Sequence, residues 1–126
     1  MIHRVMIVEP DRLHMKMLND ILVARGFETQ KVDDPGNALA LVRQQRSDLM
    51  LVSLEFPDEG GLELIRSIKS DHKLKNTMPV IVVSDFASSA EMKLLHQSDC
   101  YDVITKPVDL SQLFSAVEGC LGLRAS

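Results

Sequence analysis

The sequence lacks most of the marks of a metal, membrane or nucleic-acid protein. Its two cysteines, Cys100 and Cys120, form no CxxC pair. No zinc-type spacing surrounds them, so they read as small buried residues of a reducing cytosol. The four histidines, His3, His14, His72 and His96, follow no ligand spacing and read as surface residues. Basic residues number 14 against 18 acidic ones, a net charge of -4. No basic patch or stripe is available to read a phosphate backbone. The opening MIHRVMIVEPDR carries too short an apolar run for a signal peptide, and no stretch could span a membrane. No glycine-rich phosphate loop follows the first apolar run, and no repeat or low-complexity linker interrupts the chain. A cytoplasmic protein without nucleic-acid or membrane partners is expected.

What is present is an alternation. With 45% apolar and 25% charged residues, the 126-residue chain suits one domain spanning 1–126, its core from about residue 3 to about residue 122, with no output domain. VMIV (Val5 to Val8), LMLV (Leu49 to Val52) and VIVV (Val80 to Val83) are continuous apolar runs, as strands buried on both faces of a parallel sheet read. FETQKV (Phe27 to Val32) and YDVIT (Tyr101 to Thr105) are mixed, as edge strands would be.

Helical patterns separate them. Leu13, Met17 and Ile21 keep a spacing of four, joined by Leu18 and Leu22 and stopped by Gly26. Asp34 and Pro35 open a second helix as N-cap and first helical residue. Leu62, Ile65 and Ile68 mark a third. Ala90, Met92, Leu94 and Leu95 mark a fourth, and Leu110, Leu113, Phe114, Val117 and Leu121 a fifth. Met15, Met17 and Met92 read as core or gap-filling residues. The pattern predicts an α/β fold, a doubly wound five-stranded parallel sheet in the order 2-1-3-4-5. Ligand crevices in such sheets lie beyond the carboxyl ends of the strands. Glu9, Pro10, Asp11, Ser53, Ser84, Asp85, Lys106 and Pro107 all fall on that rim.

Four segments, IVEPD, DLMLVSLEFPDEGGLELI, MPVIVVSD and ITKPVDL, together resemble the receiver domains of two-component response regulators over nearly the whole chain. The likeness is to the single-domain, DivK-like type, and it implies a flavodoxin-like (CheY-like) receiver fold. In that family an aspartate closing the third strand takes a phosphoryl group from a phosphohistidine. Acidic residues after the first strand help hold Mg²⁺, and a lysine after the fifth pairs with the phosphoryl oxygens. A Ser/Thr after the fourth strand and a mobile aromatic residue report the change.

Carried over by position, the resemblance puts Lys106 at the lysine and Pro107 at its usual cis-proline partner. Ser84 takes the Ser/Thr switch position and Glu9 the first acidic one. Three positions depart. Ser53 stands at the phospho-acceptor, Pro10 at the second acidic position, and Val103 at the mobile aromatic, with Tyr101 no clear substitute. A serine hydroxyl is a poor nucleophile unless a neighbouring base takes its proton. Pro10 offers no ligand, and Asp11 faces elsewhere unless the turn rearranges. Glu9, Asp11 and a backbone carbonyl near Glu55 are weak metal candidates, so Mg²⁺ is expected to bind weakly or not at all.

Each residue also has a plain reading. Ser53 is a small residue ending a strand, Lys106 a partner for Glu9, and Glu9 and Asp11 first-turn acids favoured by the helix dipole. The resemblance therefore implies a pseudo-receiver with a degenerate phosphorylation site. A protein that is not an enzyme is expected, acting in a phosphorelay by binding a histidine kinase or other signalling protein. His14 and Met15 lie on the helix receivers commonly use for docking histidine-containing partners. Two alternatives stand beside this: a phosphoryl acceptor using Asp11, Glu55 or Ser53, and a small-ligand module in the crevice.

Overall fold

The computed structural model describes residues 2–85, 93 and 100–123. The elements are β1 (Arg4–Val8), α1 (Arg12–Ala24), β2 (Glu28–Val32), α2 (Pro35–Gln44) and β3 (Leu49–Ser53). A 3₁₀ turn (Pro57–Glu59) leads into α3 (Gly60–Ser70), followed by β4 (Val80–Ser84), β5 (Asp102–Thr105) and α4 (Leu110–Leu121). Ala90, Met92, Leu94 and Leu95, which mark the expected fourth helix, lie outside the described residues.

The strands form one parallel sheet in the order β2-β1-β3-β4-β5, as the alternation predicts. β3 and β4 are buried at every position, whereas β2 and β5 each have one buried residue, the others being half-buried or exposed, as edges are. Two cores follow from the period-two alternation of strand side chains. Met6, Val8, Met50, Val52, Val80 and Val82 face Ala38 and Val42 of α2 and Leu62, Ile65 and Ile68 of α3. Val5, Ile7, Leu49, Leu51, Ile81 and Val83 face Leu18 and Leu22 of α1 and Leu113 and Val117 of α4. Each such side chain taken from water contributes about 1.5–3 kcal/mol.

Helix starts follow their caps. Asp11, Asp34 and Asp109 accept the amides of His14, Asn37 and Gln112, three residues on in each case. The start of α3 is different. Asp58 and Glu59 both take φ of 57°, and a Cβ at Gly61 would stand 2.5 Å from the Ser53 carbonyl oxygen. Only glycine lets α3 begin so close to the end of β3. The PDEGG run therefore sets how near this helix approaches the strand that carries Ser53.

The stripe expected on α1 needs correction. Leu13 is 79% and Met17 37% exposed, while Leu18 and Leu22 are sealed. Met15 and Ile21 pack at the margin of the core, so the buried face runs through positions 15, 18 and 22. Spacing alone favoured the neighbouring stripe. Leu110, expected on the core face of α4, is half exposed, and Tyr101 stands just outside β5, also about half exposed. Cys100 and Cys120 are half-buried, not fully buried as expected. Burial pushes the Cys120 thiol up to about 11.

Candidate functional site at the strand carboxyl ends

The parallel registers bring the strand ends together. Val8 pairs with Val52, Ser53 with Val83, and Ser84 with Thr105. Residues one step further along each strand therefore share one rim. A cleft of about 320 Å³ opens there, lined by Glu9, Pro10, Asp11, His14, Glu55, Asp85 and Lys106. A larger cleft, about 860 Å³ among Arg43, Arg66, His72 and Lys73, lies by the carboxyl ends of α2 and α3, at the other end of the sheet.

Two carboxylates meet one ammonium in the rim cleft. Glu9 is 1% and the Lys106 side chain 5% exposed, and Lys106 Nζ donates to Glu9 Oε1 at 2.8 Å. The other oxygen of Glu9 accepts the Asp11 amide at 3.0 Å. Lys106 Nζ also lies 3.6 Å from Glu55 Oε2 and 3.1 Å from His14 Nδ1. The Lys106-Pro107 bond is cis.

Glu55 folds back over the end of β3. Its Oε2 accepts the Ser53 hydroxyl, and its Oε1 accepts the Asp85 amide and, at 3.2 Å, the Ser84 hydroxyl. Burial pushes the Glu55 carboxyl up. The hydrogen bonds from Ser53 and Asp85 and the charge of Lys106 outweigh that push and hold it below the usual glutamate range. Ser53 and Ser84 are both buried.

The structure thus brings Glu9, Ser53, Ser84 and Lys106 together, with Pro10 at the mouth. Asp11 stands at the mouth with its side chain exposed and committed to capping α1. Val103 is half-buried against the α2–α3 core. Two residues were not placed by the sequence. His14, read as a surface residue, reaches Lys106, and Glu55, entered chiefly for a backbone carbonyl, supplies its side chain. A divalent cation needs several oxygens turned to one point. Here both oxygens of Glu9 are engaged within the protein, Pro10 offers none, and Asp11 serves a helix. Among the described residues no group of three His, Cys, Asp or Glu side chains is arranged to hold a metal. Nor is any described helix long and apolar enough to cross a membrane.

Comparison with known proteins places this geometry. The polar-differentiation response regulator DivK of Brucella anthropi is 35% identical over 118 residues, covering 94% of this chain and 95% of that protein. The crystal structure of a CheY-like receiver domain protein from Methanospirillum hungatei superposes with a TM-score of 0.87 at 26% identity, covering 97% of this chain and 95% of that one. The phosphorylated cyanobacterial phytochrome response regulator RcpA superposes with a TM-score of 0.80 at 30% identity, over 94% of this chain and 91% of that one. The profile of the response regulator receiver domain matches residues 5–118, and the chain belongs to that family of two-component signalling proteins.

Proposed function

We propose that this receiver signals as a pseudo-receiver, by binding a histidine kinase or another regulator without accepting a phosphoryl group. One observation carries the reading. The position that would supply the nucleophile is Ser53, and its hydroxyl is donated to a carboxylate that is itself held in the cleft by Ser84 and Asp85. An incoming phosphoryl group would meet Glu9 and Glu55, with one lysine shared between them. The engaged state of Glu9 and the loss of a carboxylate at Pro10 support a domain that works without Mg²⁺. On this reading the chain is a binding module and not an enzyme, acting in the cytoplasm.

A second reading has one feature in its favour. Glu55 touches the Ser53 hydroxyl and could serve as its base. A carboxyl held below its ordinary range takes a proton poorly at neutral pH, so the pair is a weak acid–base couple. On this second reading Glu55 itself, or Asp11 at the mouth, is the other candidate acceptor. Intact-mass measurement after incubation with acetyl phosphate and Mg²⁺ separates the readings. The protein is expected to keep its mass and to bind a purified histidine kinase equally well with and without phosphodonor. A phosphoryl adduct on Ser53, Glu55 or Asp11 would establish the second reading instead.

A further inference from the structure

The partners of Glu55 come from three separate strand ends. The Ser84 hydroxyl closes β4, the Asp85 amide follows it, and the Lys106 ammonium follows β5. Ser53, closing β3, adds a second hydroxyl. Hydroxyls, a backbone N–H and an ammonium converging on one point are the donor set that binds a small oxyanion. A carboxylate already sits there. It belongs to the loop after β3, and its own amide turns back onto Ser53 Oγ at 3.2 Å. Both of its oxygens carry bonds.

We propose that these donors form an oxyanion site whose resident ligand is the side chain of Glu55. The tether gives this carboxylate an effective concentration in the millimolar range or above, which a free anion must exceed to displace it. Charge adds to that barrier. With Glu55 in place, a second anion would enter beside two carboxylates that share Lys106. With Glu55 removed, an entering anion restores the charge that was lost. The inference rests on the phosphorylation-independent reading and deepens it: Ser84 is kept engaged by a carboxylate of the chain itself.

Amide NMR on the whole chain tests it, with formate and inorganic phosphate as probes and chloride as the ionic-strength control. In the unmodified protein the Ser84 and Asp85 amides are expected to respond no more than with chloride. In Glu55→Ala the same amides should shift saturably with formate or phosphate. An equal response in both proteins, or none in a folded Glu55→Ala, overturns the proposal. Should Glu55→Ala lose its fold, Glu55→Ser carries the same titration with the same two outcomes. The experiment uses no kinase and no phosphodonor. Acetyl phosphate labelling of the unmodified protein would therefore sink the proposed function while leaving this result readable.

Discussion

Lys106 Nζ lies 2.8 Å from Glu9 Oε1, and both side chains are almost sealed from solvent. The pair joins the end of β1 to the end of β5, on opposite sides of the central strands. Removing one member leaves the other charge buried, which costs about 3–5 kcal/mol, whereas replacing both with apolar residues of similar volume is far milder. Glu9→Gln and Lys106→Met are each expected to lower the urea midpoint strongly. The double variant Glu9→Leu/Lys106→Met should recover most of the loss. Losses that simply add in the double variant would show that the pair is not coupled.

Glu55 makes stability depend on pH in a defined direction. Burial raises its carboxyl, but the Ser53 and Asp85 hydrogen bonds and Lys106 bring it below the ordinary value of 4.5. A group whose folded pKa is depressed stabilises the fold above its unfolded pKa and loses that contribution as pH falls through the folded one. The stability difference between the unmodified protein and Glu55→Gln should therefore be full above pH 4.5 and shrink below it. Urea titrations at a series of pH values read this directly, and a difference that grows on acidification would contradict the placement of Glu55.

Gly61 gives the sharpest packing test. An added Cβ would stand 2.5 Å from the Ser53 carbonyl oxygen and 3.2 Å from Leu54 Cα, and both are backbone atoms that no rotamer change can move. Gly61→Ala is expected to cost about 1–3 kcal/mol, the usual price of overpacking. Because the contact lies at the end of β3, the Ser53 and Glu55 amides should shift in its NMR spectrum more than those of β2. A midpoint unchanged by the substitution would show that α3 has room the structure does not give it.

The uneven legibility of the sequence has physical causes. The runs of β1, β3 and β4 are apolar at successive positions because both faces of the sheet are covered, so they announce a buried parallel sheet. α1 was harder. Leu13, Met17 and Ile21 keep a regular spacing, yet of these only Ile21 packs on the core beside Leu18 and Leu22, because periodicity shows that a face exists without showing which of two adjacent stripes is covered. The rim positions of Glu9, Ser53, Ser84 and Lys106 follow from strand ends alone. The side chain of Glu55 does not, since a loop residue's direction is set by its partners. The available signal was size: Ser53 leaves space at the end of β3, and a carboxylate two residues on can reach it.

That space also governs how the phosphoryl reaction could be rebuilt. Ser53→Asp supplies a carboxylate, ionised at neutral pH and needing no base to act as nucleophile. It also places a negative charge beside Glu55, where the structure now has a hydroxyl donor, and it leaves Pro10 in place. Pro10→Asp restores an acidic residue after β1 but provides no acceptor. The two positions belong to one catalytic unit, whose members act non-additively. Each single variant is therefore expected to stay nearly unlabelled by acetyl phosphate with Mg²⁺. Pro10→Asp/Ser53→Asp should gain a hydroxylamine-sensitive phosphoryl group, on the order of tenfold or more above either single variant. Adding Glu55→Ala removes the carboxylate that fills the site, so the triple variant should label faster than the double. Intact-mass time courses on the four variants decide the matter. Strong labelling of Ser53→Asp alone would mean that Pro10 and Glu55 are no obstacle, and that the serine is the sole defect.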